Sequence, residues 1–203
     1  MMAERFVAGI DVGFIKTGMT VFRLVDQGTD TLVHACTLES EFEKSGISGQ
    51  SAMDDIEAVR RVLQKIDHCL DTFRVMAVFA EIPHGGAQSS RAARCMGIAT
   101  GWIAAMERYR DDIEFELYTP VEIEKTLGIH LLPSQAQQLG LKKGESTKYK
   151  KERIKNLVES TFPDFHDWPV RPALAEDSYD GAAAFLCGRA KNKLYRLMKE
   201  FHR

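Results

Sequence analysis

The residues of this chain best suited to chemistry are four acids, each at the end of an apolar element. Asp11 follows Phe6, Val7, Ala8 and Ile10. Glu81 closes the run Val75-Met76-Ala77-Val78-Phe79-Ala80. Asp177 and Asp180 stand three residues apart at the start of the last helix, a spacing that puts them on one face. An isolated buried carboxylate is costly, and carboxylates held side by side repel one another unless a cation lies between them. Acids at a helix start also have a plain explanation in the macrodipole, so Asp177 and Asp180 gain weight from their conjunction with the two strand-end acids. Asp11, Glu81, Asp177 and Asp180 together form a candidate metal site. Oxygen ligands without Cys or His favour Mg²⁺, with Mn²⁺ as a substitute, over zinc. Two such ions about 4 Å apart can activate a water and stabilise a leaving oxygen in phosphodiester hydrolysis. No Ser/His/Asp order and no Gly-rich phosphate loop competes for the role.

These acids need rigid elements to hold them. The spacing of apolar and β-branched residues predicts strands over 6–11, 19–25, 31–38, 75–81 and 113–119. The second and third are joined closely through a turn over 27–30, which makes them antiparallel neighbours. The fourth is apolar throughout, as expected of a central strand covered on both faces. Helical periodicity marks 51–73, where Ile56, Val59, Leu63, Ile66, Leu70 and Phe73 recur, and also 88–109, 121–127, 147–162 and 179–198. Segment 45–49 reads as a flexible loop, and 128–144 is polar, with a loop insertion expected around 128–146. The order β-β-β-α-β-α-β followed by helices implies an α/β fold. Its five-stranded mixed sheet is a three-strand antiparallel meander plus parallel strands, with helices on both faces. The 203 residues make one domain.

The net charge of −2 does not announce a nucleic-acid binder, but the cations are clustered. Lys142, Lys143, Lys148, Lys150, Lys151, Arg153 and Lys155 face only Glu145 and Glu152 in their stretch, and Arg189, Lys191, Lys193, Arg196, Lys199 and Arg203 repeat the bias. Such clusters are either solvated helix faces or walls for a polyanion beside the acidic centre. The four cysteines show no metal or redox spacing and read as free thiols in a reducing compartment. No apolar run is long enough to span a bilayer, and residues 1–6 are too acidic for a secretory signal.

Taken in order, the motifs resemble the RuvC-like Holliday junction resolvases. Ala8-Gly9-Ile10-Asp11-Val12-Gly13 with Thr17-Gly18 is similar to that family's opening strand. Glu81 with Arg91-Ala92-Ala93-Arg94-Cys95-Met96-Gly97-Ile98-Ala99 resembles its second acidic strand and the following helix. Tyr118-Thr119-Pro120 resembles the end of its fifth strand. Lys150-Lys151-Glu152-Arg153-Ile154 resembles the basic helix before the last acids, with Lys151 matching the lysine near the scissile phosphate. Glu176-Asp177-Ser178-Tyr179-Asp180-Gly181-Ala182 resembles the final acidic pair. The resemblance implies an RNase H-like fold, Mg²⁺-dependent catalysis by Asp11, Glu81, Asp177, Asp180 and Lys151, and a homodimer making paired symmetrical nicks in a four-way DNA junction. It places the protein in the cytoplasm, on nucleoid or viral DNA.

Two departures stand out. Segment 128–144 is long for its connection, and His84 stands where the family often carries a stacking aromatic. His84 can stack on a base, contact phosphate or be a solvent-exposed loop residue. With Arg91, Lys142, Lys143, Lys148, Lys150 and Arg153 it completes the candidate DNA-binding set. On the helix after Glu81, Ala93, Gly97, Gly101 and Ala105 recur every fourth residue. Glycine within a helix costs up to about 1 kcal/mol against Ala, and the stripe permits close approach of the protein's own sheet or of the same helix in a second subunit. Rival readings are a nuclease acting on other branched DNA or on RNA–DNA hybrids, an actin-like ATPase, and a non-catalytic junction-binding protein.

Overall fold

The computed structural model describes residues 4–14, 16–25, 29–39, 52–84, 89–142, 144–167 and 175–192. The strands are β1 (Phe6–Asp11), β2 (Lys16–Arg23), β3 (Thr31–Glu39), β4 (Val75–Glu81) and β5 (Glu114–Tyr118). The helices are α1 (Ala52–Phe73), α2 (Ser90–Tyr109), α3 (Pro120–Thr126), α4 (Pro133–Gln138), α5 (Glu145–Thr161) and α6 (Ala175–Lys191), with a 3₁₀ turn over Pro163–Asp167. The sheet order is β3-β2-β1-β4-β5. β1 pairs antiparallel with β2 and parallel with β4, and β4 pairs parallel with β5. The expected meander plus parallel strands is present.

Period-2 alternation sorts the strand residues between two cores. Ala8, Ile10, Met19, Val21, Val78 and Ala80 face Val59, Val62, Ile66 and Leu70 of α1 and Ala99, Trp102, Ile103 and Met106 of α2. Val7, Phe22, Ala77 and Phe79 point the other way, towards Ile123 of α3, Ile154 and Val158 of α5, and Ala182–Cys187 of α6. Helices therefore cover both faces. The Phe22 and Phe185 rings stack with centroids 3.9 Å apart, which adds a specific aromatic contact to the buried area.

α6 approaches the sheet unusually closely, and its small residues are the reason. Gly181 through Gly188 are all buried. A Cβ added at Gly9 would overlap the Gly181 carbonyl oxygen, and one at Gly18 would overlap that of Asp177. These contacts leave no room for any side chain at either glycine, and they fix the start of α6 against β1 and β2.

Short connections carry their own caps. The Ser89 hydroxyl accepts from the Ala92 amide at the start of α2. Thr119 and Glu122 form a reciprocal capping box at α3. The polar segment after α3 is folded around α4, entered through a hydrogen bond from the Leu132 amide to the Gln135 side chain at 2.9 Å. The loop predicted over 45–49 lies outside the described residues. Among the described residues no helix is long and apolar enough to cross a membrane.

Candidate active site

Parallel strands that end together create an edge where backbone polarity and side chains converge, the usual ligand position in an open α/β sheet. Asp11 ends β1 and Glu81 ends β4, and the two are direct register partners. The Val12 amide donates to the Glu81 carbonyl at 3.0 Å, which locks the two strand ends. On the other side of Asp11 its partner across the antiparallel pair is Gly18, the glycine whose backbone touches Asp177. Gly9, Gly18 and Gly181 thus bring the first turn of α6, with Asp177 and Asp180, beside the two strand-end acids. Ser178, buried between them, shares a hydrogen bond with Thr37 of β3 at 3.3 Å.

The electrostatics record this convergence. Burial, then the charges of Asp180 and Asp177, push the Asp11 carboxyl up to about 8, against a smaller pull from Lys151. Burial raises Glu81 to about 9, with Asp11, Asp180 and Glu124 adding to it. Asp180 is raised to about 6, mainly by burial and opposed by Lys151. Asp177 is raised by burial, against Lys16 and Lys151. The four acids thus share one opposing cation, Lys151, which itself pairs with Glu176.

Among the described residues no three His, Cys, Asp or Glu side chains stand close enough to ligate one ion as they are. The donor set nevertheless fits a hard divalent cation: oxygen ligands only, fixed by strand ends and a buried helix, with only Lys151 and Lys16, among the described residues, opposing their charge.

A cavity of about 190 Å³ lies against this edge, lined by Glu81, Glu124, Lys150, Lys151 and Asp180 among others. Glu124 is a fifth acid that sequence reasoning does not select. It lies within α3, the helix that follows β5, and no sequence pattern marks it. Its carboxylate accepts from Lys150 Nζ at 2.8 Å on both oxygens and bonds His130 Nδ1 at 2.9 Å. Arg153 donates to the Gly128 carbonyl at 3.1 Å. Lys150 and Arg153 are therefore both tied to the α3 segment.

The remaining candidate residues are spread more widely. Lys142 and Lys148 lie at and near the start of α5, Lys148 exposed and Lys142 close to it in the chain, and His84 is exposed on the chain leaving β4. Lys143 and the side chain of Arg91 lie outside the described residues. Ala93, Gly97, Gly101 and Ala105 follow the outer face of α2, and Cβ atoms added at Gly97 and Gly101 would meet nothing within 4 Å. The stripe does not pack on the protein's own sheet.

No protein-family profile matches the sequence, and no curated protein sequence matches it. Solved structures do match. Thermus thermophilus RuvC in complex with a Holliday junction substrate superposes with a TM-score of 0.60 and 18% identity, covering 92% of this chain and 96% of that one. A second Thermus thermophilus RuvC structure gives 0.59 and 18%, over 90% of this chain and 94% of that one.

The fold is that of RuvC.

A yeast mitochondrial Holliday junction resolvase, Ydc2, lies further off, at 0.49 and 12% identity over 97% of this chain and 86% of that one. The resemblance to RuvC read from the sequence motifs is thus matched by the backbone over nearly the whole chain. Within the RuvC fold, the acids of this chain occupy the carboxyl edge of the sheet and the helix packed across it.

Proposed function

We propose that this chain is a Mg²⁺-dependent endonuclease that resolves four-way DNA junctions by paired symmetrical nicks, acting as a homodimer. The observation that carries the reading is the convergence of Asp11, Glu81, Asp177 and Asp180 at one sheet edge beside Lys151. The RuvC-like backbone, seen with a Holliday junction in its Thermus thermophilus counterpart, supports branched DNA as the substrate.

Asp11, Glu81, Asp177 and Asp180 would hold the ions. When bound, Mg²⁺ supplies the Lewis acidity for hydrolysis of a phosphodiester. The protein's part is to hold its ligands still: two on strand ends, two on a helix pinned by glycine contacts. Lys151 offers its ammonium to the charge of the scissile phosphate once it leaves Glu176. His84, exposed just beyond Glu81, meets the DNA near the cut and stacks on a base or contacts phosphate. Lys142 and Lys148 lie on the approach to the site.

The outward stripe Ala93, Gly97, Gly101 and Ala105 supports dimerisation through α2, since open space beyond the glycines admits a second helix backbone. A two-fold dimer presents two identical sites to a substrate with matching symmetry. The setting this implies is nucleoid or viral DNA in the cytoplasm.

The test is Asp11→Asn assayed on a synthetic four-way junction with Mg²⁺. Cleavage falls to background while junction binding persists. Undiminished cleavage refutes the metal site, and a monomer by light scattering at micromolar concentration refutes the paired nicks.

A further inference from the structure

The basic helix α5 presents its cations in two directions, and only one of them faces open space. On one side Lys150 is consumed by Glu124, with its side chain 24% exposed and that of Glu124 15%. Arg153, on the same side, is bonded to the backbone after α3. Lys148, Lys151 and Lys155 follow one another at helical spacing along the opposite edge. There they line a groove of about 580 Å³ between α5 and α6, whose far wall includes Glu176, Tyr179 and Asp180. Among the described residues Lys148 and Lys155 have no ion-pair partner, and Lys151 is paired with Glu176.

The groove is not an isolated pocket. It shares Lys151 and Asp180 with the smaller cavity that holds Glu81, so it runs into the acidic centre. Its volume lies within the range of about 300–1,000 Å³ typical of small-ligand sites. From Lys148 to Lys155 the helix rises about 10 Å, a length of duplex axis over which one strand of DNA carries about three phosphates at roughly 3.4 Å of axis each. An unpaired cation on a convex helix face is ordinarily just solvated. Cations lining a concave wall that leads to buried carboxylates are placed to attract a polyanion.

We infer that the α5–α6 groove takes the sugar–phosphate backbone of the nicked strand beside the scissile phosphate. Lys148 and Lys155 contact its phosphates, while Lys150 and Arg153 serve the packing of α5 on α3. Glu176 holds Lys151 in the free protein, and a phosphate displaces it on binding. Glu152 also lines the groove, and its charge sets a limit on how tightly a phosphate is held near that turn. The inference rests on the junction-nuclease reading and adds the path of the strand.

The experiment is a salt titration of four-way junction binding without divalent metal, for the wild type and for Lys148→Ala, Lys155→Ala, Lys150→Met and Arg153→Ala. Thermal melts first select variants that keep the fold. The slope of log affinity against log salt falls by about 0.9 for each phosphate no longer neutralised on duplex DNA, or about 0.7 on single strands. Lys148→Ala and Lys155→Ala each shrink the slope by that amount and weaken binding several-fold at moderate salt. Lys150→Met and Arg153→Ala leave the slope unchanged. A slope change confined to Lys150→Met or Arg153→Ala, or none in any variant, overturns the groove and leaves the nuclease reading standing. A wild type with no salt-dependent junction binding overturns the junction reading and the groove together.

Discussion

Replacing Asp11 by Asn removes one ionisable carboxyl from a centre where ionisation is unfavourable. In the metal-free fold, burial and the neighbouring aspartates push this carboxyl from its ordinary 3.8 to about 8. The sign follows from linkage. A carboxyl whose folded value lies above its unfolded value binds more protons when folded, so stability falls as pH rises from about 4 towards 8. At pH 7 the whole interval above the ordinary value counts, which at about 1.4 kcal/mol per unit bounds the penalty near 4 kcal/mol. Asp11 is only partly shielded from solvent, so screening reduces this to about 1–2 kcal/mol. Asn keeps the shape without the charge and also relieves Glu81, which Asp11 pushes upwards. In EDTA at pH 7, Asp11→Asn therefore melts about 3–6 °C above the wild type. The gap closes near pH 4, where the wild-type carboxyl is largely protonated in the folded state and half protonated in the unfolded one. Mg²⁺ reverses the order, because an ion that binds only the folded wild type stabilises it by mass action. Differential scanning calorimetry in EDTA and in Mg²⁺ reads both effects. A variant less stable than the wild type in EDTA at pH 7 would falsify the account of Asp11 as a charge held for a cation.

Three further outcomes follow from particular contacts. Gly18→Ala drives a Cβ into the Asp177 carbonyl and costs about 3 kcal/mol or more. Its melting temperature falls by about 6–12 °C, with loss of cleavage, and unchanged stability and activity would show that α6 does not depend on that contact. Gly101→Glu, on the exposed α2 stripe, leaves the monomer fold intact because nothing lies within 4 Å of the new Cβ, yet it converts a dimer to a monomer in light scattering. A dimer that survives it places the interface elsewhere. Glu176→Gln frees Lys151 from its ion pair and tightens junction binding in a filter or anisotropy assay, whereas weaker binding would show that Glu176 orders Lys151 for DNA instead of competing for it.

Strand β4 is legible in the sequence to the residue, because its apolar run is unbroken and Arg74, with φ 51°, turns the chain just before it. The apolar pattern of β2 begins at Met19, yet the strand begins at Lys16. Thr17 and Gly18 look like turn residues, and the reason a glycine belongs inside this strand is a helix from the far end of the chain. The last helix begins at Ala175, a turn before its apolar periodicity starts at Tyr179, because its first turn, Ala175-Glu176-Asp177-Ser178, is polar. Asp11 and Glu81 are legible because each closes an apolar run, whereas Asp177 and Asp180 stand out only by their spacing at a helix start and their conjunction with the other two. Which side of α5 faces the site is not legible. Lys150 and Lys151 are neighbours in sequence, and only the position of Glu124, brought in by α3, separates their roles. Ile56 shares the apolar spacing of α1 but is 43% exposed, since periodicity marks the inward stripe of a helix and not how far along it the cover extends.

The central claim is metal-dependent, symmetric cutting of a branched DNA. The most direct measurement is strand mapping of purified protein with Mg²⁺ on labelled four-way junctions, flaps, linear duplex and an RNA–DNA hybrid. Two nicks are expected at symmetry-related positions in opposing strands of the four-way junction, abolished by EDTA. Cutting that is confined to one strand, that prefers the hybrid, or that persists in EDTA contradicts the claim.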